Sequence, residues 1–151
     1  MPTMNRRQFL QSSALAAAAL APGCASHPRQ PGAGVPPRAL FKISLAEWSL
    51  HRALFGRSQP KMDHLDFPRA ARRDYGIEAI ELVNQFFKDK AADQDYLGEF
   101  KRRADGEGVR TLLIMCDGEG ALGDPDDGKR RQAVLNHHKW ADAARFLGCH
   151  S

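Results

Sequence analysis

From Leu40 onward, short apolar runs alternate with longer stretches in which apolar residues recur every three or four positions. Leu40-Phe41-Lys42-Ile43-Ser44-Leu45 is a run of strand length. After a loop through Gly56 and Pro60, Asp66 is placed to cap a helix from Phe67 to about Tyr75. Pro68 is tolerated there because first-turn amides lack an intrahelical partner. Gly76, free to take positive φ, ends the helix. The plan then repeats. Ile77–Val83 reads as a strand, and Gln94 to about Asp105 as a helix closed by Gly106. Val109–Met115 reads as a third strand, followed by a polar loop from Asp117 to Gly128. The last helix runs from Lys129 to Leu147 and stops at Gly148, with Ala133, Trp140, Ala144 and Leu147 on one face.

Strand alternating with helix three times predicts a parallel sheet built through crossovers. An open doubly wound sheet and a (β/α)8 barrel both satisfy that pattern. No GxGxxG or P-loop follows the first strand, which weakens the nucleotide-binding open sheet. Gly148-Cys149-His150-Ser151 reads as the turn into a fourth strand. Three strands alone would leave an apolar edge unpaired, and residues 40–151 are less than half of a usual barrel of about 250 residues. The expectation is a truncated chain of class α/β, in which residues 40–151 are the N-terminal part of a TIM barrel, about its first three β/α units.

Ahead of Leu40 the periodicity is lost. Asn5-Arg6-Arg7-Gln8-Phe9-Leu10 matches the twin-arginine export pattern, and an alanine-rich apolar stretch follows from Ser13 to Ala21. That stretch is too short to span a bilayer, which needs about 20 apolar residues. Residues 1–24 therefore read as an export signal, directing the protein through the twin-arginine export machinery to the periplasm. Leu20-Ala21-Pro22-Gly23-Cys24 resembles a lipoprotein processing site, with Cys24 as the residue acylated. Pro22 stands where a small or aliphatic residue is usual, so a free form and a lipid-anchored form both stay open. Residues 25–39 read as a linker, with Pro28, Pro31, Pro36 and Pro37 beside Gly32 and Gly34.

Composition narrows the picture further. A chain of 151 residues with 42% hydrophobic and 26% charged residues is a globular protein of one ordinary domain. The formal charge of +4 invites a nucleic-acid reading, but loss of Arg6 and Arg7 with the leader lowers it to +2. No basic run interleaved with aromatics stands out, so no nucleic-acid partner is expected. Cys24, Cys116 and Cys149 form no CxxC pair and no zinc spacing. Cys116 and Cys149 read most simply as two buried thiols. Adjacent helical residues point about 100° apart, so His137 and His138 do not readily share one ion; one packs and the other faces solvent.

Several stretches look familiar as residues. They are Met62-Asp63-His64-Leu65-Asp66-Phe67-Pro68-Arg69, Ile80-Glu81-Leu82-Val83-Asn84-Gln85-Phe86-Phe87 and Leu113-Ile114-Met115-Cys116-Asp117-Gly118-Glu119-Gly120. Asn136-His137-His138-Lys139-Trp140 and Phe146-Leu147-Gly148-Cys149-His150-Ser151 complete them. From Ile43 to the end the chain resembles the sugar phosphate isomerase/epimerase family of xylose isomerase-like TIM barrels, especially its exported bacterial branch. The resemblance implies a small-molecule carbohydrate substrate and one divalent metal (Mn, Mg, Co or Zn) in the full-length parent, which interconverts ketoses, aldoses or their epimers. It also implies that the metal is held by a Glu, Asp, His, Glu set from strands in the second half of the barrel. No metal ligand, no cofactor and no activity are therefore expected for residues 1–151 alone.

Barrels carry their functional groups at the C-terminal ends of strands. Glu47, Trp48 and His51 follow the first strand, and Asp117 and Glu119 follow the third in a glycine-rich loop. On the second strand, alternation puts Ile77, Ala79 and Glu81 on one face and Ile80 and Leu82 on the other, with Asn84 just beyond. Glu81, with His51 or Asp117, is expected to hydrogen-bond substrate hydroxyls; the structural alternative pairs Glu81 with a base inside the barrel. Trp48 is either an apolar wall for a sugar ring or a packing residue. Two other functions compete. One is a non-catalytic carbohydrate-binding barrel. The other is a phosphodiesterase resembling endonuclease IV, which needs histidines after early strands, where Cys116-Asp117 stands here.

Overall fold

The computed structural model describes residues 41–151, so the leader, Cys24, the linker and Leu40 lie outside the described residues. Three strands, β1 (Leu45–Ala46), β2 (Ala79–Val83) and β3 (Arg110–Met115), form one parallel sheet in the order β1-β2-β3. Four α-helices accompany them: α1 (His51–Leu54), α2 (Phe67–Tyr75), α3 (Gln94–Gly106) and α4 (Asp127–Leu147). The expected first strand is thus shortened to its C-terminal end. Leu45 pairs with Ile80 and Ala46 with Glu81, so residues before Leu45 find almost no β2 backbone beside them, and Phe41 and Ile43 are exposed.

Helix ends follow local chemistry with two departures from expectation. Asp66 stands at the N-cap position of α2 as expected, but its side chain makes no capping hydrogen bond. A 3-10 turn over His64–Asp66 precedes the helix, and Asp63 caps that turn by accepting from Leu65 N at 2.8 Å. The Asp66 carboxylate instead takes Arg103 Nη1 at 3.1 Å. At the end of α3, Gly106 stays helical and Gly108 takes the left-handed conformation (φ +66°). Gly76 and Gly148 end α2 and α4 with φ of +68° and +81°, as such stops require. Asp93 and Asp126 cap α3 and α4 through Tyr96 N and Lys129 N.

Strand alternation then divides the sheet. Ile80 and Leu82 join Phe67 and Ala71 of α2, Leu97 and Phe100 of α3, and Trp140, Ala143 and Leu147 of α4 in one buried cluster. Burying a large apolar side chain contributes about 1.5–3 kcal/mol, so this face supplies the fold's main driving force. A bulge between Ile80 and Glu81 leaves Leu112 unpaired with β2, and register resumes with Glu81 opposite Leu113 and Val83 opposite Met115. Glu81, Leu113 and Met115 therefore share the other face, where Met115 is exposed. On the far side of β3, His150 N donates to Leu112 O at 2.9 Å, and Ile114 N donates to Ser151 O at 3.2 Å. Residues 150 and 151 thus lie alongside β3 without joining the three-stranded sheet.

Candidate functional site

The C-terminal ends of the three strands lie along one edge of the sheet. Glu47 opens the 3-10 turn that follows β1, and its side chain is completely buried. Oε2 accepts from Val83 N, at the end of β2, at 2.6 Å. Oε1 lies 2.8 Å from His64 Nε2, and these two buried atoms have only each other as partners. The His64 ring stacks between Phe87 and Phe100, with centroids 4.7 and 4.8 Å away. Its Nδ1 meets the Tyr96 hydroxyl at 2.8 Å. Burial pushes that hydroxyl up to about 12, with the Asp63 and Glu47 charges acting the same way. Tyr96 therefore keeps its proton and completes a chain from carboxylate to imidazole to phenol.

Trp48, next to Glu47, points the other way and is 45% exposed. Its ring lies 5.4 Å from His51, 5.8 Å from Phe86 and 6.2 Å from Phe55, and Phe55 and Phe86 approach to 4.7 Å. His51 Nδ1 donates to Trp48 O at 2.7 Å, which ties the imidazole to the turn. Four rings from the β1–α2 connection and the turn after β2 thus form one surface patch. Glu81 stands apart from it in its bonding: Oε1 accepts from Ser44 Oγ at 2.5 Å. Its partner is a hydroxyl, not the base that the structural alternative requires.

The third cluster joins β2, the loop after β3 and α4. Asn84 is completely buried. Its Oδ1 accepts from Asp117 N at 3.0 Å and its Nδ2 donates to Asp117 O at 2.9 Å, clamping that residue from both sides. Gln85 Nε2 donates to Asp117 Oδ2 at 2.9 Å. Glu119 Oε1 accepts from Trp140 Nε1 at 2.7 Å and from Asn84 Nδ2 at 3.4 Å, with Lys139 Nζ at 3.3 Å. The Trp140 hydrogen bond, then Lys139, holds the Glu119 carboxyl below the usual carboxylate range. Gly120 makes this seat: at φ +96° it presses on α4, where a Cβ would sit 3.0 Å from Ala133 Cβ.

The divalent metal implied by the family resemblance finds no site in this arrangement. Among the described residues no three His, Cys, Asp or Glu side chains are grouped to hold an ion. Both oxygens of Glu47 are already engaged. His137 donates through Nδ1 to Ala133 O at 2.7 Å and is half-buried, while His138 is exposed. Cys116 and Cys149 are free. Both are half-buried rather than buried as expected, and that burial raises both thiols, Cys149 to about 11.

The TAT (twin-arginine translocation) pathway signal sequence matches residues 3–23. The chain carries a twin-arginine export signal. The protein is therefore addressed to the twin-arginine export machinery and across the membrane, in keeping with Asn5–Leu10. No curated protein matches the chain. Among the described residues no helix is long and apolar enough to cross a membrane.

The structure brings Asn84, Asp117 and Glu119 into one network and Trp48 and His51 into another, with Glu47 buried behind them. Sequence reasoning singled out neither His64 nor Tyr96. The one cue to His64 is local: it lies between Met62 and Leu65, which both pack against the core.

Proposed function

We propose that residues 41–151 form the front of a (β/α)8 barrel of the sugar isomerase/epimerase kind, which acts on a small carbohydrate in the periplasm. The observation that carries this reading is the patch of Trp48, His51, Phe55 and Phe86 beyond the ends of β1 and β2, in which Trp48 and Phe55 are exposed and His51 and Phe86 half-buried. Active sites of parallel barrels sit at that end of the strands. The apolar face of a sugar ring packs on an indole or phenyl face, while its hydroxyls seek acceptors at the rim. Glu81, Asp117 and the ionised Glu119 are such acceptors at neighbouring strand ends. Sequential strand order with the main core on one sheet face also suits a barrel.

In this reading residues 41–151 recognise and orient the sugar. Carbonyl chemistry, and the divalent metal that supports it, belong to later strands of the parent, so residues 1–151 alone should show no turnover. A non-catalytic carbohydrate-binding barrel would use the same patch, and the presence or loss of metal ligands in the later strands separates the two. Acylation of Cys24 would make the mature protein a periplasmic lipoprotein, which the intact mass of the exported chain reports directly.

The test is a titration of the mature chain with D-fructose and with fructose 6-phosphate, following tryptophan emission. Trp48 is 45% exposed, whereas Trp140 is buried and bonded to Glu119, so a parallel titration of Trp48→Ala assigns the change to one ring or the other. Binding that Trp48→Ala abolishes supports the reading. An unchanged spectrum with both sugars counts against it, and metal-dependent ketose–aldose turnover by residues 1–151 would overturn the proposed division of labour.

A further inference from the structure

We infer that Glu47, His64 and Tyr96 form an internal positioning device that sets the aromatic patch at the strand ends. The inference rests on the carbohydrate reading above for one of its two readouts only.

Glu47 and Trp48 are consecutive residues of one 3-10 turn, so the carboxylate pointing in and the indole pointing out are oriented by the same backbone. The inward side is held from three elements. Val83 N of β2 donates to one oxygen, His64 before α2 meets the other, and Tyr96 of α3 holds His64 from behind. The turn cannot rotate without leaving buried polar atoms unpaired, which the interior penalises. The same carboxylate also governs the second wall of the patch. Val83 directly precedes the 3-10 turn Asn84–Phe86, and Phe86 is the ring that meets Trp48 at 5.8 Å and Phe55 at 4.7 Å. One buried group thus fixes both the turn that carries Trp48 and the strand end from which Phe86 departs. Glu47 and His64 are positioning residues in this account; neither reaches the surface that a sugar would touch.

Substitutions separate this from plain stabilisation. In Glu47→Gln the amide oxygen still accepts from Val83 N, and its NH2 donates to His64 Nε2. The imidazole proton then moves to Nδ1 and is donated to the Tyr96 oxygen, so every bond survives. Glu47→Ala leaves Val83 N and His64 Nε2 without partners.

The experiment is iodide quenching of tryptophan emission in the mature full chain, at a temperature where near-ultraviolet circular dichroism shows it folded. A D-fructose titration of the same samples is the second readout. Glu47→Ala should raise the quenching constant of Trp48 and weaken fructose binding by up to about tenfold, the affinity equivalent of one aromatic contact. Glu47→Gln should restore both. Wild-type quenching and affinity in a folded Glu47→Ala protein, with only its melting temperature lowered, would overturn the inference, and so would failure of a folded Glu47→Gln to rescue. If Glu47→Ala does not fold, Tyr96→Phe removes only the outer bond of the chain. A smaller rise in Trp48 quenching is then expected, and none would overturn the inference. Should wild-type protein bind no fructose, the carbohydrate reading fails while the quenching arm still decides this one.

Discussion

Glu47 and Glu119 each stand just beyond a strand end, and each meets a ring nitrogen, Glu47 that of His64 and Glu119 that of Trp140. They are nevertheless used differently. The turn after β1 directs Glu47 inward at once, where an amide and an imidazole engage both of its oxygens. The loop after β3 passes through Gly118 and Gly120, both at positive φ, and sets Glu119 against the buried Trp140 of α4, with Lys139 beside it. One oxygen of Glu119 collects the protein's donors, and the residue keeps some exposure. A carboxylate next to a strand end is therefore not a pocket group by position alone. The direction of the first turn after the strand, and the number of lone pairs already engaged, decide it.

The sharpest way to break the Glu119 side is to remove its floor. Trp140→Ala should cost about 3–5 kcal/mol of stability, as large aromatic truncations in cores do, measured by urea unfolding. Gly120→Ala comes next. Its Cβ would press on Ala133 Cβ at 3.0 Å in a backbone conformation that L residues avoid, and overpacking of this kind costs about 1–3 kcal/mol. Gly98→Ala is its control: within α3, with nothing near the added methyl, it should stabilise by up to about 1 kcal/mol. A destabilised Gly98→Ala would show that glycine replacement as such, not the seat of Glu119, is being measured.

Two milder changes sharpen the comparison. Trp140→Phe keeps an aromatic ring but loses the Nε1 donor. It should cost about 1 kcal/mol and let the Glu119 carboxyl titrate closer to the ordinary range, readable by NMR. The smallest effect is one of pH. The Glu119 carboxyl is depressed in the folded protein, so its contribution is complete above the unfolded carboxylate value of about 4.3. That contribution is lost as pH falls through the lower folded value. Glu119→Gln should flatten this part of the acid unfolding curve; an unchanged curve would mean that the Trp140 bond does not favour the ionised form.

Much of the fold was legible in the residues. Ile80 and Leu82 alternate with Glu81, and the structure puts the first two in the core and Glu81 on the other face. Gly76 and Gly148 stop their helices at positive φ as read. The departures share a cause. Asp63 rather than Asp66 makes the side-chain cap because an extra turn precedes α2, and Gly108 rather than Gly106 takes the left-handed position because α3 runs one residue further. At helix ends two adjacent candidates differ little in local preference, and the neighbouring elements choose between them.

The candidate site was legible in outline only. The sequence by itself determined the alternation of strand and helix, the helix stops, the polar residues at the strand ends and the twin-arginine leader. All of these rest on periodicities, caps and motifs that span a few neighbouring residues. Only the tertiary structure decided that Glu47 turns inward to His64, that Asn84 clamps Asp117, and that Trp48 joins Phe55 and Phe86. The longer of these pairings, Glu47 with His64, Asn84 with Asp117 and Trp48 with Phe86, join residues from different strand–helix units or from opposite ends of one. Such contacts depend on how the sheet and helices pack, which no local pattern encodes.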